Sequence, residues 1–180
     1  MIYIFLADGF EEIEALTPVD VFRRAGLDTL TVSITDRRTV VGSHNIAVLA
    51  DACLSDVDLS DADLLLLPGG MPGTRHLGEC EALCASVCTH AAAGKPVAAI
   101  CAAPSVLGKL GLFRGKEAIS YPGFEQELIG AAISQKKVVR DANIVTAAGM
   151  GVALDFSLEC LRLLGHSDAA DKIRKGVIAE

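Results

Sequence analysis

Val97-Ala98-Ala99-Ile100-Cys101-Ala102-Ala103-Pro104 decides the fold class of this chain. Four apolar residues with no polar alternation read as a strand buried on both faces, a situation that arises in a sheet covered by helices on each side. The small residues that follow, with Pro104 suited to a first helical turn, mark a sharp turn from strand into helix. Cys101 therefore stands at an elbow with little side-chain bulk around it.

The same texture recurs on either side. Ile2 to Leu6, Leu30 to Ile34, Leu64 to Leu67 and Ile144 to Ala147 are further short apolar runs. Between them Ile13 to Ala25, Glu79 to Ala93, Ser105 to Leu110 and Ala153 to Leu164 carry helical periodicity, each stopped by a glycine (Gly26, Gly94, Gly111, Gly165). Alternation of strand and helix predicts an α/β fold with a mostly parallel central sheet. Thr39 to Ala52 reads as a hairpin addition at the sheet's margin. Val138 to Arg140 with Ile144 to Ala147 reads as another, turning at Asp141-Ala142-Asn143. Pro18 falls inside the first helical pattern, where a kink or a helix start is expected, and Ser167 is expected to cap a last short helix.

Composition narrows the function classes. A length of 180 residues suits one buried core, so residues 1–180 are read as one unit. Hydrophobic residues make up 51% and aromatics 4%, with no Trp, so the core must be built from Ala, Val, Ile and Leu. The net charge of −7 disfavours nucleic acid as a partner, because phosphate binding relies on clustered Lys and Arg. The first apolar run lacks a basic lead and is broken by Asp8, which argues against a signal peptide or membrane span. A cytoplasmic location is expected, with the six cysteines mostly free thiols.

In an open parallel sheet, ligands bind beyond the carboxyl ends of the strands. Three loops leave such ends: Ala7 to Glu12, Pro68-Gly69-Gly70, and Cys101 to Pro104. A thiol at a helix start is expected to have a lowered pKa, and backbone N–H groups at Ala102 and in the Gly69-Gly70 turn are placed to receive a developing oxyanion. The competing reading makes Cys101 a small buried residue ending a strand. Asp8, Glu11, Glu12 and Glu14 crowd the first loop. Most such charges are solvated, but one carboxyl turned toward the thiol and shielded from water would be driven to its protonated form. Glu11 and Glu14 share a helix face, and spacing does not choose between them.

Other candidates weigh less. Cys80, Cys84 and Cys88 recur every fourth residue with His90 just beyond, yet they sit among Leu77, Leu83 and Val87, where a helix buries its core face. No metal is expected there, since zinc sites use tight turns rather than one straight helix face. His44, His76 and His166 fall in or near loops, and Cys53 and Cys160 read as core filler. Neither a G-x-G-x-x-G nor a Walker lysine is present, so no nucleotide cofactor is expected.

Three ordered motifs carry a family resemblance. They are Ala7 to Glu14 with Pro18-Val19-Asp20-Val21 and Arg23 to Gly26, then Leu67-Pro68-Gly69-Gly70, then Ala99 to Pro104. Together they resemble the DJ-type branch of the ThiJ/PfpI superfamily, over nearly the whole chain. That resemblance implies a flavodoxin-like three-layer sandwich of the class I glutamine amidotransferase-like kind, usually a homodimer. It further implies Cys101 as the reactive thiol, Glu14 as its protonated partner, and Gly70 and Ala102 as oxyanion-binding amides. The activities it implies are cofactor-free glyoxalase or deglycase chemistry on small 2-oxoaldehydes, or redox sensing and chaperoning through oxidation of Cys101. A peptidase or a thiazole-biosynthesis role is disfavoured; Ala102 stands where the peptidase-like branch has a histidine. Tyr121 stands where several relatives place a histidine beside the pocket, and Ala148 and Met150 where an arginine and a proline are common.

Overall fold

Every residue of β1 (Ile2–Leu6) is buried. The same holds for three other apolar runs, Leu64–Leu67, Val97–Ile100 and Ile144–Ala147, and burial on both faces forces all four into the middle of a sheet. The computed structural model describes residues 1–179. After β1 come α1 (Glu12–Arg24), β2 (Thr29–Ser33), β3 (Thr39–Val41), β4 (Ala47–Leu49), β5 (Ala52–Cys53), β6 (Leu64–Leu67), α2 (Gly73–Glu79), α3 (Glu81–Ala92), β7 (Val97–Ile100) and α4 (Pro104–Lys109). The chain closes with β8 (Glu117–Ala118), β9 (Ala132–Ile133), β10 (Val138–Asp141), β11 (Ile144–Ala147), α5 (Ala153–Leu163) and α6 (Ser167–Gly176).

Seven strands form one sheet in the order β10-β11-β7-β6-β1-β2-β5. All neighbours are parallel except β10, which returns antiparallel on β11. Successive strand residues point to opposite faces and so divide the core in two. Ile4, Leu6, Leu66, Ala98 and Ile100 pack with Phe22 of α1 and Phe156 of α5. Tyr3, Phe5, Leu65, Val97 and Ala99 pack with Leu77, Leu83 and Leu107 of α2, α3 and α4. The result is helix, sheet, helix. From β1 the chain runs outward to β2 and later returns to β6 on β1's other side, so the loops after β1 and β6 diverge and leave a crevice at the sheet's carboxyl edge.

Several local expectations are corrected. The helix expected over Glu79 to Ala93 is α3, which starts two residues late, and α2, which no expectation covered, precedes it across Cys80, whose backbone is extended. α1 passes through Pro18 and starts six residues before it, while Ser167 is the first residue of α6 and not its cap. The β3–β4 hairpin pairs with itself and stands off the main sheet. It is anchored over the β1 loop by Gly9 N–H donating to the Val41 carbonyl (2.7 Å) and Val41 N–H donating to the Asp8 carboxylate (2.9 Å). β10 and β11 turn at Ala142-Asn143, with Ala142 at positive φ. All six cysteines are free, with Cys53 and Cys160 buried. Among the described residues no helix is long and apolar enough to cross a membrane.

Candidate active site

β7 sends its side chains alternately to the two faces, so the residue after Ile100 would fall on the α2–α4 side. Cys101 instead adopts φ +65°, a left-handed conformation that costs a non-glycine residue on the order of 1–3 kcal/mol. The turn brings its side chain against the cluster shared with α1 and α5. The elbow is held from both ends: Cys101 N–H donates to the Ala147 carbonyl (2.8 Å), and the Cys101 carbonyl accepts from Tyr121 N–H (2.7 Å).

α1 presents an inverted face at this point. Glu14 is 1% exposed, whereas Ile13 and Leu16 beside it are 48% and 37% exposed. The Glu14 carboxylate accepts from Gly69 N–H (3.1 Å) and from Met150 N–H, and it is hydrogen-bonded to the Cys101 thiol. Gly69 permits this approach, since a Cβ there would stand 2.5 Å from Glu14 Oε2 and 2.6 Å from Cys101 Cβ. Gly70 and Ala102 turn their N–H groups to the sulfur. The oxyanion role anticipated for the Gly69-Gly70 turn thus narrows to Gly70, because the Gly69 N–H is committed to Glu14. Glu11 is the N-cap of α1, its carboxylate accepting from Glu14 N–H (2.7 Å), which settles which of the two acids faces the thiol.

Electrostatics overturns one expectation. Burial above all, helped by the charge of Glu11, pushes the Glu14 carboxyl up to about 7, against the opposing hydrogen bonds from Cys101, Gly69 and Met150. The Cys101 thiol is not lowered as a helix start would have it. Burial, then the charge of Glu14 and the hydrogen bond to it, push the thiol up to about 12, and the Ala102 and Gly70 N–H groups offset only part of this. α4 has six residues, too short a helix for its dipole to outweigh burial beside an acid. The two groups therefore titrate as a pair. Loss of the first proton leaves one negative charge, held by the Glu14 carboxylate with the thiol hydrogen-bonded to it.

Around the pair, Tyr121 is 51% exposed and lays its ring along Gly149, its Cδ2 3.3 Å from where a Cβ on that glycine would stand. The Glu14 Oε1 atom lies 3.8 Å from the same point. Glu12 is a residue that sequence reasoning did not single out. It is buried, accepts from His44 N–H (2.8 Å) and meets His44 Nδ1 (2.9 Å), tying the hairpin to α1. Burial alone would raise the Glu12 pKa, but the hydrogen bonds from His44 and its charge hold it at about 2. Glu11, Glu12 and His44 bring oxygen and nitrogen atoms within 4.8 Å of one another, the one such convergence among the described residues. These donors are already engaged with α1 and the hairpin. Cys80, Cys84 and Cys88 do not converge; Cys80 and Cys84 pack against the core, as a helix's inner face predicts.

Residues 1–163 match the DJ-1/PfpI family. This chain belongs to that family. Protein dj-1beta of Drosophila melanogaster is 33% identical over 177 residues, covering 97% of this chain and 95% of the fly protein. A Pyrococcus abyssi protein named as a deglycase is 32% identical over 166 residues, 91% of this chain and 98% of its own. Bacillus subtilis YraA, whose name proposes a cysteine protease, is 34% identical over 166 residues, 91% of this chain and 97% of its own. Among solved structures, oxidized DJ-1 of Toxoplasma gondii superposes with a TM-score of 0.94 at 35% identity, covering 98% of this chain and 97% of that one. Family and fold coincide with the DJ-type, flavodoxin-like, class I glutamine amidotransferase-like sandwich that the three motifs imply.

Proposed function

We propose that this chain is a cysteine-dependent, cofactor-free enzyme of the glyoxalase or deglycase type, acting on 2-oxoaldehydes such as methylglyoxal and glyoxal or on their adducts. The observation that carries the reading is a thiol at a strained elbow, hydrogen-bonded to a buried acid and facing two backbone N–H donors. Sulfur adds to the aldehyde carbon, the C=O electron pair moves to oxygen, and the Gly70 and Ala102 N–H groups hold that oxygen. Glu14 takes the thiol proton and hands it to the neighbouring carbonyl oxygen; the carboxylate so freed removes the proton of the former aldehyde carbon, giving an enediolate, and returns it to the neighbouring carbon as the C=O of a thioester forms. One carbon is oxidised and the next reduced, so no outside oxidant is needed. Water cleaves the resulting thioester, releasing lactate from methylglyoxal or glycolate from glyoxal and restoring the thiol. A relative named as a deglycase supports this reading, and Tyr121, which lines the mouth, contacts the substrate. The test is lactate formation from methylglyoxal: Cys101→Ser should fall to the uncatalysed rate, and a variant as active as wild type would refute the assignment.

A second reading rests on the same donors. Two N–H groups and a protonated acid around one sulfur would stabilise a sulfinate, so Cys101 oxidises in preference to the other five thiols and serves as a redox sensor or chaperone switch. Mass spectrometry after mild peroxide distinguishes the two when read beside turnover.

The six free thiols suit a cytoplasmic setting. The exposed apolar residues Ile13 and Leu16 of α1 and Val41, Ile46 and Leu49 of the hairpin lie on two elements tied together by the Glu12–His44 pair, which supports a homodimer interface there.

A further inference from the structure

We propose that the Cys101 site admits uncharged carbonyl compounds and turns away those that carry a carboxylate. The inference relies on the reading above for where an electrophile meets the sulfur, and goes beyond it to which electrophiles arrive. Acidic groups are gathered there: Glu14 against the sulfur, Glu11 capping the Glu14 backbone at 2.7 Å, Glu12 between them in sequence, and Asp8 at the start of the same loop. The cations beside this loop are already engaged. Arg37 pairs with Asp8 (3.0 Å), His44 with Glu12 (2.9 Å), and His76 Nδ1 is turned to the Asp8 carbonyl (3.0 Å). The charge acting on Cys101 is that of Glu14 and the charge acting on Glu14 is that of Glu11, both negative.

The positions from which a counter-ion would reach an anionic substrate hold neutral groups. Tyr121 covers Gly149 beside Glu14 Oε1, and Met150 offers its backbone N–H to Glu14 while its side chain faces solvent. The Gly70 and Ala102 N–H groups are dipoles suited to one oxygen atom, not to a whole added charge. A carboxylate entering this site meets the negative charge of Glu14, which the cations of the first loop do not offset because they are paired elsewhere, and pays its desolvation besides.

The experiment compares alkylation of Cys101 by iodoacetamide and by iodoacetate, followed by mass spectrometry of the Cys101 peptide. In both, the S–C bond forms, iodide leaves with the C–I electron pair, and the thiol proton passes to Glu14 or water, so the reagents differ mainly in charge. The iodoacetamide-to-iodoacetate rate ratio at Cys101 should exceed that of N-acetylcysteine amide, an uncharged reference thiol, by about tenfold. Tyr121→Lys and Met150→Lys each place a cation at an exposed position by the sulfur and should bring the ratio down toward the reference. A wild-type ratio equal to the reference, or one that neither lysine variant moves, would overturn the proposal. Turnover separates the two readings. 4,5-Dioxopentanoate, a 2-oxoaldehyde that carries a remote carboxylate, consumed as fast as methylglyoxal would defeat charge selection and leave the glyoxalase standing, whereas a high alkylation ratio without methylglyoxal turnover would do the reverse.

Discussion

At the scale of single residues, the account turns on why a fold would bury Glu14. An acid whose pKa rises from 4.5 to about 7 binds its proton more tightly in the folded than in the unfolded chain. The stability this contributes is complete below pH 4.5 and is lost as pH rises to about 7, leaving a penalty of about 3 kcal/mol above that point. Glu14→Gln, a neutral mimic, should therefore be more stable than wild type at pH 8 by up to that amount and nearly equal to it at pH 4, as read by urea denaturation at the two pH values. The elbow was legible in the sequence, because Ala99 to Pro104 combines a buried strand with a tight turn. The choice of Glu14 over Glu11 was not legible from spacing, since both share one helix face; it is decided by Glu11 being consumed as the N-cap. Nor could the direction of the Cys101 shift be read, because it depends on depth of burial, which a linear pattern does not record.

At the scale of elements, most helices were plain and their ends were not. The helix expected from Glu79 is α3, but α2 before it was not legible, because its seven residues include Gly73 and Gly78 and only Leu77 among them is a large apolar side chain, packed on the same cluster as Leu83 and Val87 of α3. The β3–β4 hairpin was visible as a hairpin; its separation from the sheet depends on Gly9 and Asp8, whose backbone and carboxylate bonds lie far off in sequence. α1 holds its position through α5. Phe156 is fully buried and sits in one cluster with Phe22 and Ala15 of α1, so α5 acts as the back wall of the element that carries Glu14. Phe156→Ala should cost about 3–5 kcal/mol, seen as a lower urea midpoint at unchanged slope.

At the scale of the whole molecule, sheet order explains the location of the chemistry. The loops after β1, β6 and β7 come from three neighbouring strands that straddle the reversal in strand order, and they meet at its crevice: Glu11 N–H donates to the Gly69 carbonyl (2.9 Å), and Gly69 stands against Cys101. Alternation of strand and helix was enough to foresee this edge. That the exposed apolar residues of α1 and of the hairpin lie on elements tied together could not be foreseen, because the Glu12–His44 tie joins residues far apart in sequence. Leu49 is 67% exposed, so Leu49→Glu has no core to disturb. If these residues form a dimer interface, sedimentation should show that variant as a monomer and wild type as a dimer.

The claim on which the rest depends is that one buried proton is shared between Glu14 and Cys101. Carbon-13 NMR of the labelled Glu14 carboxyl reads it directly. The account predicts a titration near 7 in wild type, and a higher value in Cys101→Ala, where the lowering hydrogen bond from the thiol is gone. A Glu14 carboxyl that titrates near 4.5 in both proteins would contradict it.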